Sequence, residues 1–430
     1  GKVFNQPRSS VSQSAINDNS YSFDIFATYN KTIANDHKII AMVGNTIYKE
    51  YGNGLNATGF DVPNNSCDFA DISLTNGAPP EGTNPAGSFI YDERRLSYFS
   101  RVQYDFKGKY LLSGMLRRDS STRFGPGNKV GYFPSVTAGW IVSDEGFFGE
   151  SKVVDFLKLR GSYGIVGNDR IPNNGYISQL NGEATYVFDG GIVNGRATGQ
   201  IPNPNLKWEQ AKKLDIGLDL NLFNNKVNIV ADYFVDTRVD LLIPGIPVSG
   251  IFGAQAPGAS SPTINAGTVR NEGLEFAINY KKDFSDDFNI SLGYNVTFLR
   301  NNVEEINGAD FLEGGVFGIG QPAPSRMEVG HSIGYFYGLK TNGVFQNQAE
   351  VDAAPSQVGV GSKASPGDIR YVDVNGDGEI SFDDRTDIGD PIPAATMGFN
   401  MQLNYKALDF SVYSFASVGN DMIRNYESIA

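Results

Sequence analysis

The chain has 430 residues and a formal net charge of −13, which argues against nucleic acid as a partner because such a protein would carry a basic surface. No run of about 18 apolar residues occurs, so the sequence excludes a membrane-spanning helix. Cys67 is the single cysteine, and His37 and His331 are the two histidines, which excludes an intrachain disulfide and a metal centre rich in cysteine or histidine, and disfavours a catalytic triad.

Segments in which apolar and polar residues alternate with a period of two predict β-strands along the chain. In the first part of the chain the predicted strands are 21–29, 38–48, 98–106, 110–116, 133–142 and 156–165. In the second of these, Ile40, Met42 and Tyr48 are assigned to the apolar face. Residues 51–95 and 166–210 are rich in glycine and asparagine and have no stable period, which predicts two long loops.

Residues 211–242 carry the clearest pattern, two long alternating strands joined by a tight Asn224-Asn225 link, which is typical of a β-hairpin. One face, which begins with Leu214, Ile216 and Leu218, is mostly apolar and carries no charge. The opposite face carries seven charged residues: Lys213, Asp215, Asp219, Asp232, Asp236, Arg238 and Asp240. A lysine or arginine facing lipid at the bilayer midplane costs about 2–4 kcal/mol, whereas a water-filled lumen tolerates charge. The hairpin therefore favours a membrane barrel, although a soluble antiparallel sheet with one wet face remains the alternative.

The remaining predicted strands are 273–280, 288–298, 397–405 and 408–418, with long connections at 244–266 and 300–393. Across the twelve predicted strands, short connections alternate with longer ones. Outer-membrane barrels have this pattern, because short turns face the periplasm and long loops face the exterior. The sequence thus predicts an all-β fold, a transmembrane antiparallel β-barrel with long extracellular loops and a lipid-facing outer surface.

Several stretches resemble the barrel of SusC-like TonB-dependent transporters, and the matches are collinear over residues 97–419. Three of them are Leu116-Arg117-Arg118-Asp119-Ser120-Ser121-Thr122-Arg123-Phe124-Gly125-Pro126, Gly131-Tyr132-Phe133-Pro134-Ser135-Val136-Thr137-Ala138-Gly139-Trp140 and Asn203-Pro204-Asn205-Leu206-Lys207-Trp208-Glu209. Further matches are Leu157-Lys158-Leu159-Arg160-Gly161-Ser162-Tyr163-Gly164, Asn271-Glu272-Gly273-Leu274-Glu275 and Gly334-Tyr335-Phe336-Tyr337-Gly338.

The resemblance implies an importer in the bacterial outer membrane that works with a SusD-like surface lipoprotein and takes up a glycan or peptide nutrient. It also implies energy from TonB, transmitted through a plug domain that we do not find in residues 1–430. We therefore expect these residues to be a segment of about twelve strands from a larger barrel of the 22-strand kind, with the final strands also lying outside it. A stand-alone twelve-strand barrel is the alternative, which we disfavour.

Two other classes of function stay open at this point. A SusC-like barrel could serve as a structural scaffold in a larger envelope complex. Absence of a plug domain from the complete protein would favour this role. An outer-membrane enzyme is the other class, and it would need a Ser/His or paired-carboxylate site. Neither His37 nor His331 has suitable neighbours in the sequence, so the enzyme is disfavoured.

Residues 373–384, within the large predicted extracellular region 300–393, match the twelve-residue loop that binds calcium in EF-hands. Asp373, Asn375 and Asp377 occupy positions 1, 3 and 5, Glu379 offers its backbone carbonyl at position 7, and Asp384 stands at position 12. Asp384 is shorter than the usual glutamate, and the flanks are not helical. We expect a structural calcium ion here; a solvated turn rich in aspartate, asparagine and glycine is the alternative.

A group of arginines near the end of one predicted strand is the remaining candidate for ligand binding. Arg117, Arg118 and Arg123, together with Asp119, could hold an anionic ligand. We favour a simpler arrangement, in which these arginines pair with neighbouring carboxylates at the barrel rim.

Overall fold

The computed structural model describes residues 8–64, 66, 68, 70–80, 85–178, 180, 182–197, 199, 201–244, 261–315, 322–361 and 363–424. Over these residues the chain is almost entirely β-structure. One six-residue α-helix, α1 (Gln348–Ala353), is present in the described part of the chain. None of the helices there is long and apolar enough to cross a membrane.

The strands alternate with connections of very different length. In chain order they are β1 (Ser10–Ile33), β2 (His37–Phe60), β3 (Ala86–Phe106), β4 (Tyr110–Ser121), β5 (Val130–Ile141), β6 (Val154–Asn168), β7 (Gly182–Phe188), β8 (Gly191–Ala197), β9 (Glu209–Leu222), β10 (Val227–Val239), β11 (Leu242–Ile243), β12 (Ile264–Asn265), β13 (Gly267–Ser285), β14 (Phe288–Ile306), β15 (Phe311–Gly314), β16 (Ser325–Glu328), β17 (Tyr335–Leu339), β18 (Thr341–Val344), β19 (Ile369–Tyr371), β20 (Arg385–Gly389), β21 (Ala395–Tyr405) and β22 (Leu408–Val418).

Twelve of these strands form one antiparallel sheet, which we call the wall, in the order β1-β2-β3-β4-β5-β6-β9-β10-β13-β14-β21-β22. Each wall strand pairs with the wall strand that follows it in sequence, so the wall is a continuous meander. The twelve predicted strands and the antiparallel all-β architecture are confirmed. Within the described residues β1 and β22 are the two edges of the wall.

Several strands extend well beyond their predicted ends. The first strand has 24 residues. β2 continues to Phe60 and β3 begins at Ala86, so the prediction of a loop over 51–95 is wrong at both ends. The alternation fades in these extended parts because glycines occupy several strand positions there. At Gly54, a Cβ would lie 2.3 Å from the ring of Phe89, so the missing side chain leaves room for that ring. Outside the membrane both faces of these strands contact water. Neither face must then be apolar, so the sequence has no period of two.

Two predicted loops contain short strands. The hairpin β7–β8 lies within 166–210. Near the end of 244–266, most of which lies outside the described residues, β12 pairs with β11, which precedes that loop. The connection from β14 to β21 carries a four-stranded sheet, β15-β16-β17-β20, and the pair β18–β19. The long connections therefore have defined structure of their own.

The strand register separates two faces of the wall. Val43 and Ile47 of β2 lie opposite Ala27 and Phe23 of β1, so all four share one face. Ile40, Met42 and Tyr48 consequently lie on the other face, and their assignment to the lipid side was wrong. This error has a physical origin: both faces of β2 carry apolar side chains, so alternation alone does not select the correct one.

The outward face carries a tall apolar band between two rows of aromatic residues. On β5, Tyr132 and Trp140 lie at opposite ends of the band, with Val136 between them, and Tyr132 and Val136 are exposed. Tyr110 stacks on Trp140 near the short turns, with ring centroids 6.5 Å apart. Aromatic girdles at both interfaces are typical of outer-membrane barrels. The short turns therefore mark the periplasmic side, and the long connections mark the exterior.

Two small hydrophobic cores lie where the long connections meet the extracellular ends of the wall strands. The first, which we call the loop core, contains Phe124, Phe133, Ile171, Leu206 and Trp208. The second contains Val269, Val303 and Met327, with Leu312 and Ile333 packed against it. These cores tie the extracellular connections to one another and to the ends of the wall strands.

Candidate functional site

A cluster of ion pairs centred on one arginine lies on the inward face of three adjacent wall strands, β6, β9 and β10. Arg160 of β6 reaches across β9 to β10 and contacts carboxylates on both strands. Its Nη1 lies 3.1 Å from Asp215, its Nε lies 3.2 Å from Asp219, and its Nη2 donates to Asp232 Oδ2 at 2.8 Å. We call these four residues the arginine hub. A guanidinium has five N–H donors in a rigid plane, so one arginine can bond three acceptors on two strands. The compact ammonium of a lysine is less suited to this arrangement.

Gly217 lies at the centre of the hub and makes it possible. A Cβ at this position would lie 2.1 Å from Asp232 Oδ1 and 2.6 Å from Arg160 Cζ. The guanidinium therefore lies directly over the backbone of β9. The sequence signal was a glycine flanked by carboxylates on one face of a strand; the arginine is far away in sequence, and the hub was therefore missed.

The hub borders an open cavity of about 470 Å³ on the inward face near the periplasmic end. Its polar lining includes Lys38, Gln103, Thr137, Lys158 and Asp215, drawn from five wall strands. Polar and charged groups of both signs face this space, whereas the outward residues next to them on the same strands, such as Val102, Val136 and Leu159, are apolar and exposed. The arrangement fits a hydrated lumen that accommodates polar matter.

Replacing Arg160 with methionine is expected to lower the free energy of unfolding by about 1–3 kcal/mol, because three carboxylates lose a shared partner that is only partly exposed to solvent. Arg160→Lys restores the charge but not the fork, so we expect only partial recovery. The double variant Arg160→Met/Asp232→Asn should be more stable than Arg160→Met alone. Urea titration of the full-length protein in bilayers measures these differences; equal stability of all variants would contradict a structural role for the hub.

Beyond the wall, an arginine stack stabilises the four-stranded extracellular sheet. The guanidinium of Arg326 lies between two rings, 3.7 Å from the centroid of Phe311 and 3.5 Å from that of Tyr337. The guanidinium of Arg385 lies 4.8 Å from the ring centroid of Tyr337 and donates to the backbone carbonyl of the same residue. Cation–π contacts in a partly desolvated setting contribute up to about 2 kcal/mol each. The sheet is therefore expected to act as a firm platform on the outer surface.

Residues 373–384 fold into a compact loop in which the predicted ligands accept hydrogen bonds from the loop's own backbone. Asp373 accepts from Gly376 and Gly378, at 2.6 and 2.9 Å, and Asp377 accepts from Glu379 at 2.8 Å. Asp384 is fully buried and accepts from Ser381 and Val374, both at 2.8 Å. The carboxylates at positions 1, 5 and 12 thus each have backbone N–H partners within the loop.

These residues fit a cation only in part. Asn375 and Asp377 contact each other at 3.1 Å, and Asp384 closes the loop, while the side chain of Glu379 is exposed, as a carbonyl ligand would allow. Among the described residues, however, no three carboxylate, imidazole or thiolate groups converge as a metal site would require. The donor set is oxygen-rich and of the type that Ca²⁺ prefers, but its oxygens are occupied by N–H donors.

Asp384 should make the stability of this loop sensitive to acid. Backbone N–H groups, that of Ser381 first and then those of Val374 and Asn375, lower the pKa of its carboxyl. A group whose folded-state pKa is depressed stabilises the fold above its unfolded pKa, near 3.9, and loses that contribution as the pH falls through the folded value. We therefore expect the protection of 373–384 against hydrogen exchange, corrected for the pH dependence of intrinsic amide exchange, to fall below about pH 4.

The variant Asp384→Asn should show low protection already at neutral pH and little further loss of protection on acidification. The neighbouring Asp383→Asn, at an exposed position, is the matched control and should behave like the unsubstituted protein. The same acid response in the Asp384→Asn variant and the unsubstituted protein would contradict this assignment.

The predicted arginine group divides into paired and unpaired members. Arg117 pairs with Asp119 at 2.8 Å, and Arg123 pairs with buried Glu93. Arg118 points to the opposite, outward face, in register with Tyr98 and Tyr132. Pairing with rim carboxylates is thus confirmed for two of the three arginines.

Neither histidine has the partners of a catalytic base within the described residues. His37 contacts the hydroxyl of Tyr104 at 2.7 Å, on the outward periplasmic edge. His331 lies 3.4 Å from Asp387 and stacks on Tyr335, and the adjacent Ser332 donates instead to Asp390 at 2.5 Å. No described serine hydroxyl contacts either imidazole, so these contacts offer no Ser–His pair.

The wall, with lipid-facing girdles outside and charge inside, defines a β-barrel protein of the bacterial outer membrane. The family model described as TonB dependent receptor-like, beta-barrel matches residues 3–418. The chain therefore belongs to the TonB-dependent receptor-like β-barrel family, which confirms the resemblance and the outer-membrane location.

Named relatives support this membership. TonB-dependent receptor P3 of Formosa agariphila is 32% identical over 403 residues, which cover 93% of this chain and 39% of that protein. TonB-dependent receptor SusC of Bacteroides thetaiotaomicron is 31% identical over 334 residues, covering 76% of this chain and 31% of SusC.

Among solved structures, the RagAB peptide transporter matches with a TM-score of 0.76 and 23% identity, covering 96% of this chain and 42% of that chain, which supports the fold. The chain thus spans about two fifths of the length of relatives such as P3.

Proposed function

We propose that the full protein is a TonB-dependent importer that takes up a glycan or peptide across the outer membrane together with a SusD-like surface lipoprotein. Family membership supports the class, and the observation that carries the proposal is the opposite chemistry of the two faces of the wall. An apolar outward face and an inward face bearing the arginine hub enclose space for polar cargo. Relatives of this family are transporters, so covalent chemistry is not part of the proposal.

In this proposal the wall and the extracellular platform have separate tasks. The platform and the loop core give the long connections a fixed surface on which a lipoprotein could seat and close. The hub keeps β6, β9 and β10 in register while a plug, supplied from outside residues 1–430, moves within the lumen. Transport then follows from a difference in cargo affinity between open and closed states, because only differential binding can shift such an equilibrium.

The test is co-isolation and uptake with the complete protein in its native membrane. A tag on the full-length protein should recover a surface lipoprotein encoded by the same cell, and labelled oligosaccharide or oligopeptide mixtures should accumulate only while the proton gradient is intact. The cargo class that accumulates identifies the substrate. Isolation without any lipoprotein, together with uptake that persists after the gradient is collapsed, would contradict the importer and favour a scaffold or passive pore.

We also propose that residues 373–384 bind one Ca²⁺ ion with a structural role. The loop interior formed by Asp373, Asn375, Asp377 and Asp384, with the carbonyl of Glu379, supports this proposal, since small rotations would exchange N–H partners for a cation. Terbium luminescence excited through nearby tyrosine, and its displacement by Ca²⁺, tests it in the full-length protein. Asp373→Asn should abolish the signal and Asp383→Asn should retain it; equal signals would contradict the site.

A further inference from the structure

The extracellular end of the outward apolar band carries cations that the proposed function does not use. Arg118 of β4 directly follows the outward residues Leu112 and Leu116, which are 51% and 48% exposed. Its register partners on either side are Tyr98 and Tyr132, both exposed, and its guanidinium lies 5.9 Å from the ring centroid of Tyr98. Among the described residues no carboxylate forms an ion pair with Arg118. It is an unneutralised cation at the level of the aromatic girdle.

Two more cations stand on the same outward face of the neighbouring strands. Lys49 of β2 and Arg94 of β3 are register partners, and both contact Asp92, at 3.3 and 2.7 Å. One carboxylate therefore serves two cations. The Arg94 side chain is 63% exposed. Lys49, Arg94 and Arg118, which we call the basic patch, carry two positive charges in excess of Asp92.

Elsewhere on the rim the outward cations are either paired with carboxylates or stand singly. Arg270 of β13 lies opposite Thr237, on the same face as outward Tyr233, and it pairs with Glu272 at 2.7 Å. Glu304 lies 3.9 Å from the same arginine. Lys212 of β9, the register partner of Thr237, also faces outward and has no ion pair among the described residues, but it stands alone. The grouping of three cations in the basic patch is thus a local feature, on a chain whose net charge is −13.

From this placement we propose that the basic patch binds the phosphate group of an anionic lipid in the outer leaflet. On β3, Arg94 lies four residues from Tyr98, the register partner of Arg118. At the usual rise per residue this separation is about 13 Å, so both side chains face one strip of headgroups. Clustered lysine and arginine beside an apolar membrane surface attract anionic headgroups, by about 1 kcal/mol per cation near the surface. Guanidinium groups add bidentate hydrogen bonds to phosphate oxygens.

The ligand comes from the bilayer because the site is half apolar. The acyl chains of a lipid would cover Leu112, Leu116 and the ring of Tyr98, while the phosphate reaches Arg118. A free phosphate ion would gain only the charge contacts, which are weak at an exposed site and screened by salt. The proposal therefore commits to a phosphorylated lipid and does not depend on the transport function.

The experiment uses the full-length protein in phosphatidylcholine nanodiscs doped with spin-labelled phosphatidic acid, with spin-labelled phosphatidylcholine as the neutral reference. The unsubstituted protein should immobilise the phosphatidic acid preferentially. Arg118→Gln should weaken this preference about fivefold, and the triple variant Lys49→Gln/Arg94→Gln/Arg118→Gln should abolish it. Arg118→Lys, which keeps the charge, should retain most of the preference, and the heat-modifiable gel mobility of each variant verifies folding.

The matched control is the double variant Arg270→Gln/Glu272→Gln, which removes a neutral outward pair at the same rim and should leave the preference unchanged. Inorganic phosphate, at an ionic strength matched with chloride, should not displace the labelled lipid. Equal preference in the unsubstituted protein and the triple variant would overturn the proposal. Displacement by inorganic phosphate but not by chloride would overturn the lipid and indicate a site for free anions.

Discussion

Replacing Phe124 with alanine is expected to release the extracellular connections while leaving the wall folded. Phe124 is fully buried and packs against Trp208, with ring centroids 5.1 Å apart. Because the loop core joins the β4–β5 connection to the segment before β9, a cavity there uncouples the two. Truncation of a buried phenylalanine costs about 3–5 kcal/mol, the largest effect that we expect from any single change in this chain.

Trp208 provides the measurement for this variant. The sequence has two tryptophans, so in a Trp140→Phe background the emission reports on Trp208 alone. Phe124→Ala should shift this emission to longer wavelength and accelerate hydrogen exchange in 122–129 and 201–208. Phe147→Ala, at a position that is 73% exposed, is the control and should change neither. Identical emission and exchange in the two variants would show that the loop core is not a cooperative unit.

Replacing Val136 with arginine is expected to destabilise the membrane-embedded protein by about 2–4 kcal/mol. Val136 faces outward, midway between the girdle residues Tyr132 and Trp140, and is 46% exposed on the wall. An arginine there must either lose its hydration in lipid or bend towards an interface. Urea titration of the full-length protein in bilayers gives the free energy of unfolding.

Thr137→Arg is the matched control, since Thr137 is the next residue in the chain and lines the inward cavity. Water surrounds a charge there, so we expect a change close to zero. The difference between two neighbouring positions removes the effects of strand propensity and of depth in the membrane. If Thr137→Arg costs as much as Val136→Arg, both faces of β5 are dry, and the assignment of a hydrated lumen is wrong.

The sequence was sufficient to predict the wall where lipid imposes chemistry on one face. The hairpin 211–242 shows this best, because its outward strand positions from Leu214 to Val235 are all apolar and the strand charges between them lie inward. The outward pair of Lys212 and Thr237 lies beyond that span. The structure confirms it: Leu214 pairs with Val235 and Ile216 with Tyr233, all on the outward face. Alternation of short and long connections then predicted the topology.

Where that constraint ends, sequence reasoning lost accuracy. The extracellular parts of β2 and β3 are wet on both faces and showed no period, so they were taken for a loop. Ile40 and Met42 were placed outward because apolar residues also line the lumen. The arginine hub depends on register across three strands, which no local pattern encodes. The calcium loop remains a prediction, because a motif specifies donor atoms and does not specify what occupies them.

The most direct test of the account is the accessibility of spin labels along the hairpin β9–β10. Single cysteines are introduced at each position from 213 to 239 of the full-length protein, in a Cys67→Ser background, and reconstituted in bilayers. Molecular oxygen partitions into lipid and a nickel chelate into water. We predict that oxygen accessibility peaks at Leu214, Ile216 and Leu218, and that chelate accessibility peaks at the residues between them. Low accessibility of the leucine positions to both reagents would mean that these faces pack against another sheet, and it would contradict the membrane wall.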